Sequence, residues 1–323
     1  MKALVLHAYG PPGQLTFEDV ADPVPAAGEV LVRVLATSVN PYDWHYMRGE
    51  PRVARLMPGG PRRPHAVILG CDVAGRVEAV GASVTAFRPG DDVYALLPHG
   101  AYAEYVTVPE DLLAPKPATL SHEQAAAMPM AAVTALVALR GVERGHRVLV
   151  NGASGGVGTF AVQLAKALGA QVDAVCGAAG ADLARALGAT EVTDYREDDF
   201  TRSGRTYDVL LDIAGSRSLP ACRRLLTRTG RFVAVGGPAG RWVQPAGHVF
   251  GALAAGPFTG RKVVLADAVA CRDKKAVLGR LAGYAESGAL TPVIDRSYPF
   301  ADLREAIAYQ EAGHAKGKVV ITR

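Results

Sequence analysis

Asn151-Gly152-Ala153-Ser154-Gly155-Gly156-Val157-Gly158 is the stretch that decides the fold. It follows the apolar run 147–151 and opens the helix-like stretch 156–168, so it reads as strand, turn and helix start. In that context Gly155 lets the backbone approach a pyrophosphate, and Gly158 lets helix and strand pack closely. The helix N-terminus adds amide donors and the positive end of a dipole. Ala153 stands where the first fingerprint glycine is expected, and it is small enough for the turn. Ala153, Ser154, Gly155, Gly156, Val157 and Gly158 are therefore the phosphate-loop candidates.

Working outward, strands at 171–176, 192–195, 209–213 and 232–235 alternate with helices, including 181–187. That alternation means right-handed βαβ crossovers and a parallel sheet covered on both faces, a doubly wound Rossmann sheet. Cofactor choice turns on the end of the second strand, where NAD enzymes place an acid for the ribose 2′-hydroxyl. Here the strand ends Val175-Cys176-Gly177-Ala178-Ala179, with no acid. A 2′-phosphate meets no repulsion there, so the reading favours NADPH, with NADH possible. No basic residue follows at once; Arg196, just after Tyr195, is the candidate for the phosphate. Cys176, Gly177, Tyr195, Arg196 and Gly236 join the cofactor-binding candidates.

The first third is different. Runs at 3–7, 15–20, 30–36, 73–80 and 93–97 are β-type, with Gly10-Pro11-Pro12-Gly13 and Arg88-Pro89-Gly90-Asp91-Asp92 among the breaks between them. They imply an antiparallel, partly open β-barrel. From Ser121 the chain turns alanine-rich and helical, and Ser121 with Glu123-Gln124 makes a helix start. The tail holds a helix ending near Ser287-Gly288, then Pro292–Ile294, a helix at 302–311 and a strand at 317–322. That last strand is expected to return to the barrel. The expected domains are 1–120 with 271–323, a catalytic barrel, and 121–270, the dinucleotide-binding unit.

Length and composition bound the rest. At 323 residues the chain suits two domains, and 49% hydrophobic with 20% charged leaves no room for extensive disorder. The net charge of +4 is scattered, with short clusters such as Arg62-Arg63 and Arg223-Arg224, which argues against a nucleic-acid partner. Four separate cysteines with no CxxC pair fit a reducing compartment. The opening MKALVLHAYGPPG breaks before a signal-peptide core forms, and the apolar-rich stretch 125–139 contains Pro129 and is too short for a bilayer. The expectation is a soluble, cytoplasmic protein without membrane partners, acting on a small molecule.

Four further groups of residues carry a likeness. GASGGVGTFAVQLAKALGA (152–170) followed by LGATEVTDY (187–195), SVNPYD (38–43), GCDVAGRV (70–77) with FRPGD (87–91), and GKVVI (317–321) together span nearly the whole chain. Together they resemble the zinc-free quinone oxidoreductase, or zeta-crystallin-like, branch of the medium-chain dehydrogenase/reductases. The resemblance implies that the first domain is a GroES-like catalytic barrel, that Thr134 lies near the nicotinamide, and that the protein pairs as a homodimer through its Rossmann domains. Zinc alcohol dehydrogenases of the superfamily carry a cysteine where this chain has Asn40 and a His-Glu pair where it has Cys71-Asp72. They also carry a four-cysteine lobe in the stretch that here is 91–108 and holds none. Catalytic zinc needs three protein ligands, and Cys71 alone remains; His45, His65 and His99 match no zinc spacing.

Without a Lewis acid, alcohol oxidation is hard, whereas hydride addition to a conjugated carbonyl or quinone needs only donors for the developing enolate charge. The implied activity is reduction of a quinone or an α,β-unsaturated carbonyl with NADPH. A zinc alcohol dehydrogenase with atypical ligands and a cofactor-binding protein without turnover are the competing readings. The catalytic candidates lie in 40–48. Asn40 either presents its amide to the substrate carbonyl or caps a loop. Asp43 holds the loop or the nicotinamide ribose. His45 or Tyr42 delivers a proton. Trp242 and Phe250 are expected pocket walls.

Overall fold

The computed structural model describes the chain except residues 53–54, 56–63, 65–67, 238–246, 249–250, 252 and 255–261. Arg62-Arg63, His65, Trp242 and Phe250 lie outside the described residues. The chain divides into two units, Met1–Val133 with Cys271–Arg323, and Thr134–Ala270. The second unit ends at Ala270. The first boundary falls later than 120, because the helical stretch after Ser121 is bound into the first unit. Ala125 and Ala126 are fully buried, and the Met130 backbone N–H donates to the Asp72 carboxylate.

In the first unit β1 (Lys2–Leu6) pairs antiparallel with β2 (Leu15–Asp19) across the Gly-Pro-Pro-Gly turn. The long strand β3 (Glu29–Val39) is the unit's spine. It pairs with β4 (Asp72–Val80), which pairs with β5 (Asp92–Leu96); β6 (Tyr105–Pro109) lies on β3 and β7 (Leu113–Pro115) on β5. Helix α1 (Pro41–Arg48) leaves the end of β3 with proline in its first turn, where the missing N–H costs nothing. Helix α2 (His122–Ala126) opens on a capping box. Gln124 N–H donates to Ser121 Oγ at 3.2 Å, and Ser121 N–H donates to Gln124 Oε1 at 3.0 Å. Helix α3 (Pro129–Ala138) follows.

The second unit holds β8 (Arg147–Asn151), α4 (Gly156–Ala167), β9 (Gln171–Cys176), α5 (Ala181–Leu187) and β10 (Glu191–Asp194). It continues with β11 (Tyr207–Asp212), α6 (Leu219–Arg223), β12 (Leu226–Ala234) and β13 (Lys262–Leu265). All described pairings are parallel, in the order β10-β9-β8-β11-β12-β13. This is the doubly wound order, with the first strand central and a reversal between β8 and β11. The central strands are nearly continuous buried valine and leucine, as a sheet covered on both faces requires.

The chain then returns through α7 (Lys274–Glu286), β14 (Ile294–Pro299), α8 (Leu303–Glu311) and β15 (Lys318–Thr322). As expected, the last strand joins the first unit: β15 is antiparallel to β3. The sheet is not wholly antiparallel, however. β14 and β15 run parallel, because α8 carries the chain back between them and a parallel neighbour needs such a crossover. Leu4, Leu6, Met47, Leu303, Ile307, Val319 and Ile321 form one buried cluster, so both ends of the chain share a core.

Candidate functional site

In the second unit the phosphate loop is built from its own backbone. Gly152 sits at φ +95, which a residue with a Cβ rarely adopts. Gly152 and Ala153 N–H groups both donate to Val175 O, at 2.9 and 3.0 Å, strapping the loop onto β9. The glycines at 155 and 158 do different work. A Cβ on Gly158 would lie 2.1 Å from Gly152 O, so helix and strand can pack only on glycine there. A Cβ on Gly155 would meet only Gly152 O, at 3.6 Å. Gly155 thus faces space the protein leaves open at the start of α4, an end no side chain caps. Amide donors in front of an open cradle fit a dinucleotide pyrophosphate. Gly156 and Val157 form that first turn, and Ala153, within the loop, is buried.

The turn after β9 meets the same loop. Gly180 packs so close to Ser154 that a Cβ would fall 2.7 Å from its Oγ. Gly177 lies under the Tyr195 ring, 3.5 Å from a would-be Cβ, and the Arg196 guanidinium is 5.7 Å from the centre of that ring. Cys176 is buried. Although the turn's own sequence carries no acid, the fold brings one to it. Asp194 Oδ2 accepts from Ala178 N–H at 2.9 Å, and its Oδ1 accepts from Arg196 N–H at 3.0 Å. Parallel pairing sets Asp194 opposite Cys176, which a scan along the second strand alone does not see.

At the ends of β8 and β11, Asn151 Nδ2 donates to Asp212 Oδ1 at 2.7 Å, and Asp212 Oδ2 lies 2.9 Å from His248 Nε2. The sequence reading did not single out this group. Gly236 packs against the end of β11, where its Cβ would come within 2.5 Å of Ile213 O. Thr134 is buried on α3, at 8% exposure.

In the first unit the amide that Asn40 offers to a substrate carbonyl on sequence grounds is committed internally. Its Nδ2 donates to Asp72 Oδ2 at 2.9 Å and to Cys71 Sγ at 3.3 Å, while its Oδ1 accepts from the Lys318 ammonium. Asp72 further accepts from Ser38 Oγ at 2.5 Å and from Met130 N–H, and it lies 3.3 Å from Lys318 Nζ. All five side chains, of Ser38, Asn40, Cys71, Asp72 and Lys318, are buried. Asn40 thus ties the start of α1 to β4 and β15. Lys318 and Asp72 were missed because they come from strands far apart in the chain.

Asp43 accepts the Asn40 backbone N–H at 2.8 Å, holding the start of α1. Burial first, then nearby Asp72, raises its carboxyl from 3.8 to about 6, against the Asn40 N–H and Lys318. The folded protein therefore holds that proton more tightly than the unfolded chain does. Stability should fall as pH rises from about 4 to about 6 and then level off, by up to about 3 kcal/mol. Asp43→Asn should remove this slope, read as urea midpoints across that range; an unchanged slope would locate it elsewhere. His45 stacks on Trp44 with ring centres 3.7 Å apart, and burial lowers its pKa. The neutral ring is favoured near pH 7, which moves any acid role of His45 below neutrality. Tyr42, also on α1, is the exposed member of the group, at 36%.

The set around Asn40 does not suit zinc. The Cys71 thiol is pushed well above its usual range by burial, then by Asp43 and Asp72, and the Lys318 ammonium already occupies Asn40 and Asp72 as the local cation. Among the described residues no group of three or more His, Cys, Asp and Glu is arranged to hold a metal.

Residues 26–118 match the alcohol dehydrogenase GroES-like domain, and residues 187–321 match the zinc-binding dehydrogenase family. The chain is 35% identical to the mitochondrial NAD(P)H oxidoreductase RTN4IP1 of Mus musculus, over 99% of this chain and 89% of the relative. It is 32% identical to the chloroplastic NADPH-dependent alkenal/one oxidoreductase of Arabidopsis thaliana, over 99% of this chain and 79% of that one. Escherichia coli quinone oxidoreductase, solved with NADPH, superposes with a TM-score of 0.85 at 26% identity, covering all of both chains. A GroES-like unit, a doubly wound sheet with an open phosphate cradle, and likeness along the full chain agree: the protein is an NAD(P)H-dependent oxidoreductase belonging to the quinone oxidoreductase-like branch of the medium-chain dehydrogenase/reductase superfamily.

Proposed function

We propose that the protein uses NADPH to reduce a quinone or an α,β-unsaturated carbonyl, without zinc. The observation that carries this reading is the buried Asn40–Asp72–Lys318 network. It fills with an ammonium the place where zinc relatives carry metal ligands, and so favours substrates whose reduction needs no Lewis acid. The pyrophosphate would be held by the 152–158 loop, and the adenosine end by the turn after β9 with Tyr195 and Arg196. Bound there, the nicotinamide supplies the hydride. Tyr42 is the candidate to donate to the substrate oxygen as charge develops, being exposed on α1 while the Asn40 amide is committed. A panel of quinones, enals and enones, assayed with both cofactors alongside metal analysis of protein purified without chelator, tests the proposal. Turnover of an enone or quinone with substoichiometric zinc is expected; about one zinc per chain, or turnover confined to simple alcohols, overturns it.

NADPH should bind more tightly than NADH, and Arg196→Ala should weaken NADPH selectively. Titration by quenching of protein fluorescence reads both, and an equal loss for NADH removes Arg196 from the phosphate. We further place the protein in the cytoplasm as a homodimer. Four buried free cysteines support a reducing compartment. Among the described strands β13 lies at the edge of the second unit's sheet, with Leu265 exposed, which supports pairing with a second copy through that edge. Sedimentation of the native protein checks the dimer.

A further inference from the structure

We propose that Asp194 is a specificity-determining residue of the cofactor site, one that opposes the 2′-phosphate of NADPH and keeps NADH usable. The inference rests on the reading of 152–158 and 176–180 as the dinucleotide site.

Nicotinamide enzymes that choose NADH place an acid at the end of the second strand, where it accepts from the ribose 2′-hydroxyl and repels a 2′-phosphate. This chain has Cys176 at that place. The register of β10 on β9 sets Asp194 directly opposite Cys176, so the third strand supplies the acid that the second lacks. The carboxylate is held in position, because Ala178 N–H and Arg196 N–H each bind one of its oxygens, at 2.9 and 3.0 Å. Two backbone donors leave lone pairs on both oxygens, enough to accept a ribose hydroxyl as well. The same turn carries Gly177 under the Tyr195 ring and Gly180 against Ser154 of the phosphate loop, so the adenosine-side candidates and Asp194 converge on one place. Arg196 follows Asp194 by two residues and is exposed. One acid and one base thus flank the turn. Arg196 favours the phosphate and Asp194 resists it, and the net preference is the difference between them.

Asp194→Asn tests this directly, since it keeps the shape and one strong acceptor for the turn while removing the charge. Affinities for NADPH and NADH are titrated by protein fluorescence on the purified full chain, without substrate. The expected result is a shift of the NADPH-to-NADH affinity ratio toward NADPH by about three- to tenfold at low salt, shrinking as salt rises. Asp194→Ser, a smaller neutral acceptor, should shift the ratio the same way if the asparagine variant folds poorly. Equal weakening of both cofactors would show that Asp194 only braces the turn, and a shift toward NADH would reverse its assigned sign; either overturns the inference. Failure of the wild-type protein to bind either cofactor would instead sink the reading of the site itself.

Discussion

Gly155→Val should abolish dinucleotide binding while the protein stays folded. The backbone at Gly155 lies at φ −82, ψ 177, an extended conformation that valine adopts readily. The nearest protein atom to an added Cβ would be Gly152 O at 3.6 Å, an ordinary contact, so the fold has no reason to resist the change. What the branched side chain would occupy is the space in front of the first turn of α4, and a pyrophosphate oxygen must come within about 3 Å of an amide nitrogen there to be held. The expected loss is at least about a hundredfold in affinity, roughly 3 kcal/mol, for NADPH and NADH alike. Thermal unfolding followed by circular dichroism should change little. Near-normal affinity would mean the phosphates lie elsewhere. Gly158→Ala is the contrasting control: its Cβ would lie 2.1 Å from Gly152 O, and its damage should appear in the fold itself.

The second large effect is expected at Lys318. Its ammonium is 3% exposed, donates to Asn40 Oδ1 and lies 3.3 Å from the Asp72 carboxylate, which is fully buried. Such a pair gains little over a well-packed apolar pair, but removing one partner strands the other's charge away from water. Lys318→Met should therefore cost about 3–5 kcal/mol, seen as a fall in urea midpoint. Adding Asp72→Asn to Lys318→Met should recover part of that loss, since the stranded charge is gone while one oxygen stays at position 72 to accept, although the donors on its two oxygens can no longer all be satisfied. A single variant as stable as the parent would show that the pair contributes nothing, and a double variant no better than the single would assign the loss to packing.

The two halves of the molecule were not equally legible in the sequence. The second unit could be read closely because each of its signals is local. A strand, a glycine turn and a helix start follow one another, and α5 occupies Ala181–Leu187, the residues expected. β13 was not read from the sequence, although β10 of the same length was. In the first unit β6 and β7 escaped notice as short strands defined by partners distant in the chain. Site chemistry was harder still. The glycines announce themselves through spacing, but Asn40 Nδ2 is committed to Asp72, 32 residues away, and Asn40 Oδ1 to Lys318, 278 residues away. Asp194 was overlooked because its place is set across a pair of strands and not along one. Composition carries no trace of either relation.

The pairing of β15 with β3 also bears on how the chain is made. Residues 134–270 contain every described strand of the parallel sheet, so that unit has all its partners as soon as they leave the ribosome. The barrel does not. Its spine β3 emerges early, yet along residues 36–39 one edge is covered only when 319–322 arrive, and the core around Leu4, Leu6 and Met47 waits for Leu303, Ile307, Val319 and Ile321. During synthesis the first unit therefore carries an open strand edge and an uncovered apolar cluster for the whole time the second is being made, a period in which chaperone protection matters most. Stalled or prematurely terminated chains would release a finished Rossmann sheet tethered to an unfinished, aggregation-prone barrel.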